Sequence, residues 1–433
     1  MTLGRVLSLA LLIRVALLTA VWLPAGDTRV FLAPDSPQYL GPATRLAKEG
    51  RYWNERGPEI FRPPGFAVVL LPGLWIGQAA VGGVALQLML GLGATALVFA
   101  IGGHLGGRAV AAAAGVWFAI EPLQWVLGAR LLSETACTFC VAAALAFALD
   151  WLRTARRLSL LGAALAAAAA SYVRPIAYLL GPALVLMALA LAPDAHRTER
   201  RRHAVLALLL WATCLSAWHV RNGLATGYWG FSTQLDRVIA FWIPAGVESA
   251  RGERSYTEAR AELRAREQRP GFETPDNLAR LRREGLKALA DGPVEYAGVY
   301  FRGMARTLLN PGALGLLGLF GTPEAHMDGL GRQVTDQGIV RTLGGVLVSR
   351  PLVVLTFAAL GLYLLAQLCL ASLGLWRGDR ETRGARLLTA AVAVYFLLLS
   401  GGPSGESRFR HPMTPSLCAL AGAGVAALRS RRA

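Results

Sequence analysis

Six short groups of polar residues carry side chains able to move a proton or hold a phosphate, and each stands beside a long apolar run. Pro34-Asp35-Ser36-Pro37-Gln38-Tyr39 offers a carboxylate ahead of a helical pattern. An Asp there is an ordinary helix cap; it is equally placed to take a proton from an attacking hydroxyl or amine. In Phe61-Arg62-Pro63-Pro64-Gly65 two prolines fix the backbone after an Arg. Its guanidinium either snorkels to headgroups or makes a bidentate contact with a phosphate. Arg130-Leu131-Leu132-Ser133-Glu134 brings a second acid to the mouth of an apolar run, with Arg130 one helical turn away as an available partner. Glu121, next to Pro122, faces the same side. Arg174-Pro175 lies in a tight turn, and Trp218-His219-Val220-Arg221-Asn222 closes another run. Last comes the Gly-rich stretch 401–412 (GGPSGESRFRHP), with Glu406 and with Arg408 and Arg410 on the same side of an extended segment. Two guanidinium groups in such a connector are explained best by an anion to bind.

These groups matter because of the solvent around them. Of the 433 residues, 54% belong to the AVILMFWYC set and only 16% are charged, against about 25% charged in soluble domains. So much apolar surface cannot be hidden in one aqueous core, which excludes a soluble enzyme, a coiled coil and a disordered chain. The net charge of +17 does not point to nucleic acid, because the basic residues sit mostly between apolar runs. All five cysteines lie inside those runs, so no disulfide framework is expected, and Cys137-x-x-Cys140 lacks a second Cys/His pair for a metal. Phosphate-loop, zinc-hydrolase, nucleophile-elbow and dinucleotide patterns do not occur.

A bilayer core about 30 Å thick needs roughly 17–25 apolar residues per helix. Uncharged runs at 6–24, 82–102, 109–127, 134–151, 158–172, 176–192, 204–219, 351–376, 387–401 and 412–428 meet or approach that length. The predicted fold is an all-α polytopic membrane protein of about 10–12 transmembrane helices. Lys/Arg bias in the short loops predicts that both termini are cytoplasmic. The predicted organisation is a first transmembrane helix (1–24), a first extracytoplasmic loop with amphipathic or interfacial helices (25–80), transmembrane helices two to seven (82–219), an extracytoplasmic helical segment (220–350) and the C-terminal transmembrane helices (351–433). In that second extracytoplasmic segment, helices are expected over 256–268 and from Thr274-Pro275 to about Ala290. The run 66–77 is too short to span and is read as interfacial or re-entrant. Arg14 lies near the midplane of the first helix and is expected to pair inside the bundle.

Six polar groups in this order, all on the predicted outer face, resemble the GT-C integral-membrane glycosyltransferases, in the branch that contains protein O-mannosyltransferases and lipid A aminoarabinose transferases. The resemblance rests on Asp35-Ser36-Pro37-Gln38-Tyr39, Phe61-Arg62-Pro63-Pro64-Gly65, Leu132-Ser133-Glu134, Arg174-Pro175, Trp218-x-x-Arg221-Asn222 and Arg408-Phe409-Arg410-x-Pro412-x-x-Pro415, and it covers most of the chain. It implies a GT-C-like bundle and a polyprenyl-phosphate-linked sugar donor. It also implies transfer to an acceptor hydroxyl or amine at the extracytoplasmic face of the plasma (inner) membrane; with a single base near the acceptor, displacement from the opposite face would invert the anomeric configuration. It makes Asp35 the base and Glu134 the second catalytic acid, with Arg62, Arg408 and Arg410 on the donor phosphate. Tyr39, Glu121, Arg174, Arg221 and Glu406 are candidates for support. No metal or other cofactor is demanded, although a divalent ion between Asp35 and Glu134 is conceivable if the two converge. Protein O-mannosyltransferases have a second acid directly after the loop acid, where this chain has Ser36; that speaks against a protein acceptor. The competing readings are a lipid-linked sugar flippase or transporter, and a polysaccharide polymerase or ligase using a lipid diphosphate.

Overall fold

The computed structural model describes residues 1–193, 197–267, 271–321, 351–377 and 379–429. They form an all-α polytopic membrane protein. Strand structure among them is limited to one antiparallel pair, β1 (Trp53–Asn54) with β2 (Gly57–Pro58). The helices are α1 (Leu3–Ala25), α2 (Ser36–Glu49), α3 (Gly65–Trp75), α4 (Ala79–Ala119), α5 (Pro122–Gly128), α6 (Glu134–Thr154), α7 (Arg157–Val173), α8 (Leu180–Leu191), α9 (Arg197–Thr226), α10 (Gln234–Arg237), α11 (Ile243–Arg251), α12 (Tyr256–Glu267), α13 (Pro275–Asp291), α14 (Pro293–Leu309), α15 (Ala313–Leu319), α16 (Pro351–Trp376), α17 (Arg380–Leu399) and α18 (Thr414–Arg429).

Among the described residues six helices, α1, α4, α6, α9, α16 and α17, are long and apolar enough to cross a bilayer; α3, α7 and the stretch Pro175–Leu191 are shorter apolar helices. Each of the ten predicted runs is helical for most of its length. Two of them lie on α4, which bends where Gly106 and Gly107 leave helical geometry; Gly107 takes φ 75°, ψ −161° there, a conformation open to glycine and strained for other residues. The run predicted over 109–127 is broken, because Glu121 and Pro122 start the separate helix α5. The last helix starts at Thr414 rather than 412, after a 3-10 segment over Ser407–Met413.

Small residues let these helices approach closely, as packing in lipid requires. A Cβ at Gly374 of α16 would fall 2.0 Å from the Leu420 carbonyl oxygen of α18. At one end of the bundle Arg386 donates to the carbonyls of Gly374, Arg377 and Leu105. The polar groups of the sequence analysis gather at the other end. Arg14 is buried, and its Nη1 donates to Ala10 of its own helix. Inside the bundle the Ala10 carbonyl is the partner its hydrogen bonding shows among the described residues.

In the segment after α9, α12 and α13 fall on the two predicted helices as far as the described residues reach, and Gly292-Pro293 separates α13 from α14; residues 322–350 of the predicted 220–350 segment lie outside the described residues. Phe241, Phe272, Leu278 and Leu281 form a small core with Ile60 of the first loop. Ser232 donates to the Phe61 carbonyl at 2.6 Å, so this segment is bolted to the Arg62 loop. At its other end α14 lies on the Gly-rich connector: a Cβ at Gly303 would meet the Gly402 carbonyl oxygen at 2.0 Å. Gly303→Ala is therefore expected to destabilise the protein by about 1–3 kcal/mol through overpacking, read as a lower thermal midpoint in detergent. An unchanged midpoint would show that α14 can lift off the connector without loss.

Candidate active site

Asp35 precedes α2 in the cap position, yet its side chain makes no capping bond. Its carboxylate reaches across to Arg408 instead, Nη1 to Oδ2 at 2.8 Å, with the two side chains 30% and 32% exposed. The ordinary cap reading of Asp35 is thereby set aside. Arg408 Nε also stands 3.1 Å from Glu406. Burial lowers the basicity of Arg408, but Glu134, Glu406 and Asp35 outweigh that and hold it above its ordinary value.

Ser36, at full burial, accepts from the Ala33 amide and donates to the Leu131 carbonyl, both at 2.8 Å. It ties the Asp35 loop to the chain leading into Glu134. Glu134 itself is 1% exposed and pairs with Arg174 at the end of α7, not with Arg130, whose Nη1 donates to the Leu32 carbonyl at 3.1 Å. Arg174 is 12% exposed; burial works against its charge, and Glu134 more than restores it. From this pair a chain of contacts runs outward. Arg174 approaches Ser133 Oγ at 3.4 Å, Ser133 shares a hydrogen bond of 2.9 Å with Tyr39 OH, and the Arg62 guanidinium lies 4.8 Å from the Tyr39 ring centroid.

Three further devices fix Arg62. Glu59 Oε1 accepts from the Phe61 and Arg62 amides. Gln38 Oε1 accepts from Arg62 Nε at 3.2 Å and Nη2 at 2.8 Å. Gly65 then packs backbone to backbone against Tyr172, with room for no Cβ. Asp35, Gln38 and Tyr39 lie within one and a half turns of chain at the start of α2. That turn therefore holds Arg408 with one residue and Arg62 with the next two, an arrangement suited to gripping an anion beside a proton acceptor.

The other candidates stand elsewhere. Arg410, 1% exposed, donates to the carbonyls of Thr307, Leu308 and Asn310 at 2.7–3.0 Å. The expectation that it shares a side with Arg408 fails because the segment is a 3-10 helix, which turns residues two apart away from each other. Glu121, also 1% exposed, accepts from Gln367 at 2.8 Å and Tyr363 at 3.1 Å. Arg221 donates to the carbonyls of Glu59 and Tyr52 and so braces the first loop. His411 shares a hydrogen bond with Thr138, and burial holds its imidazole down to about 3. Among the described residues no cluster of three His, Cys, Asp or Glu side chains stands at metal-binding separation.

Sequence reasoning quoted Gln38 and Ser133 within its motifs without giving them a role, and it passed over Glu59. Gln38 had a signal, its place three residues after Asp35 on the same helical face; Glu59 acts on backbone amides and had none.

No protein-family model and no curated protein sequence matches the chain. Solved structures do match. The Archaeoglobus fulgidus oligosaccharyltransferase in its apo form aligns with a TM-score of 0.58 at 13% identity, covering 99% of this chain and 51% of that one. The oligosaccharyltransferase AglB from the same organism, in complex with an inhibitory peptide and a dolichol-phosphate, gives 0.55 at 13% identity over 99% and 50%. The chain has the GT-C fold. ArnT from Cupriavidus metallidurans bound to undecaprenyl phosphate aligns at 15% identity over 96% of this chain and 60% of its own, with a TM-score of 0.49. The chain spans about half the length of the oligosaccharyltransferases it matches. In this GT-C fold the Asp35 loop, the Arg62 loop and the connector before α18 meet at one end of the bundle.

Proposed function

We propose that this protein is a membrane glycosyltransferase that moves a sugar from a polyprenyl-phosphate donor to an acceptor hydroxyl or amine at the extracytoplasmic face of the plasma membrane. The observation that carries the reading is the part-exposed Asp35 carboxylate, uncapped and paired with Arg408, one turn from the grip on Arg62. The GT-C fold supports it, and so does the dolichol-phosphate bound to AglB on the same fold.

In this reading Asp35 takes the proton of the acceptor as its oxygen or nitrogen bonds to the anomeric carbon. The bond from that carbon to the phosphate oxygen breaks on the opposite face, through an oxocarbenium-like state as in glycoside chemistry, and the configuration inverts. The polyprenyl phosphate leaves without protonation, its growing charge stabilised by Arg62 and Arg408. Glu134, buried against Arg174, positions Ser133 and Tyr39 beneath Arg62 and does not touch substrate. Arg410 holds the end of α14, and the donor phosphate is left to the other two guanidinium groups.

The test is sugar release from synthetic polyprenyl-monophosphate hexoses by purified protein in nanodiscs, with water able to stand in for an unidentified acceptor. Arg62→Ala is expected to weaken donor binding roughly 10- to 100-fold, the worth of a charge-assisted hydrogen bond of about 1.5–3 kcal/mol. Movement of intact donor lipid across the bilayer without release would place the protein among the flippases. Release only from a lipid diphosphate would place it among the polymerases and ligases.

A further inference from the structure

We infer that Arg408 passes from Asp35 to the donor phosphate when the donor binds, so that the base is opened only in a donor-loaded site and the substrates bind in compulsory order. This rests on the glycosyltransferase reading and adds to it a coupling between the two binding events. Without donor, the Asp35 carboxylate is engaged by Arg408 at 2.8 Å and makes no bond to its own helix. An acceptor arriving first would meet a carboxylate already occupied by a guanidinium.

Three features make an exchange of the side chain the natural response to a phosphate. First, the acids around Arg408 outnumber the neighbouring bases: Asp35, Glu406 and Glu134 act on it, with Arg174 as the opposing charge. Arg408 already carries two carboxylates, Asp35 at 2.8 Å and Glu406 at 3.1 Å, so a phosphate arriving as a third anion competes with Asp35 for the guanidinium. Second, the backbone that carries Arg408 is held. Gly402 donates to the Tyr300 carbonyl, a Cβ at Gly405 would meet the Gly303 carbonyl oxygen at 2.2 Å, and Arg410 ties the next turn to the end of α14. The long Arg408 side chain can swing while its anchor stays. Third, Arg62 is fixed by Gln38 and Tyr39 on the same turn of α2 as Asp35, so a phosphate gripped by Arg62 arrives beside the Asp35–Arg408 pair. Once Arg408 has moved, Asp35 Oδ2 is open to the acceptor proton. When polyprenyl phosphate departs and the proton passes to water, Arg408 closes on Asp35 again.

The test needs only undecaprenyl phosphate and a binding measurement in nanodiscs. Removing the carboxylate charge with Asp35→Asn should release Arg408 and tighten undecaprenyl phosphate binding roughly fivefold, the usual scale of a part-exposed ion pair. Arg408→Gln should weaken it, and the double variant should bind like Arg408→Gln alone. Plain repulsion between Asp35 and the phosphate would give the same gain in the Arg408→Gln background, and that result would overturn the exchange, as would unchanged or weaker binding by Asp35→Asn. Asp35→Ser, checked with it for an unchanged thermal midpoint, must give the same sign. Failure of the wild-type protein to bind undecaprenyl phosphate at all would instead overturn the donor reading, and the exchange with it.

Discussion

Asp35→Asn is expected to lower sugar release from a polyprenyl-phosphate donor by about 10²- to 10⁴-fold, the range spanned by a positioned general base, while the protein stays folded. The substitution keeps the shape of the side chain and makes no capping bond fail, since Asp35 makes none. It removes the one carboxylate at the site that is both part-exposed and attached to α2. Loss of release together with retained or tighter lipid binding separates proton transfer from donor binding; turnover within a few-fold of wild type would remove Asp35 from the chemistry. Glu406→Gln is the natural comparison, because that acid also touches Arg408 but its side chain is exposed.

The second large effect is on stability. Arg174→Leu leaves the Glu134 carboxylate buried without its partner, which for a buried ion pair costs about 3–5 kcal/mol. The thermal midpoint in detergent should fall steeply and donor binding should weaken with it, because Ser133 and Tyr39 stand between that pair and Arg62. Glu134→Leu combined with Arg174→Leu should recover much of the midpoint, since a well-packed apolar pair can equal a buried ionic one. A single variant that melts within about 1 kcal/mol of wild type would mean that water or another group reaches Glu134. Recovery of stability without recovery of binding would mark the pair as an aligner of the site above it.

Much of the bundle was legible because lipid enforces a simple rule: long uncharged runs must be helices. The break at Glu121-Pro122, inside the run predicted over 109–127, was not read in advance. That these polar groups gather was legible for a related reason, since charged groups beside apolar runs need an aqueous face or a partner. What could not be read was the pairing. Glu134 had Arg130 one turn away in sequence, but its partner comes from the end of α7, and only tertiary packing brings Arg174 there. Arg408 and Arg410 look alike in sequence, and a 3-10 turn in place of an extended segment sends one to Asp35 and the other to the carbonyls of α14. Asp35 showed the opposite behaviour: its cap position was visible, and the absent capping bond that frees its carboxylate was not.

Ser36 bears on how such a site can change over time. In the protein O-mannosyltransferases that the motifs resemble, a second acid follows the first; here that neighbouring position is fully enclosed and bonded to Ala33 and Leu131. A carboxylate placed there alone would be buried without a counter-charge and would cut the stitch between the two acid-bearing loops. The path from a one-acid to a two-acid mouth is thus closed to single substitutions, and opens only after the chain around Leu131 has been re-anchored by some other residue.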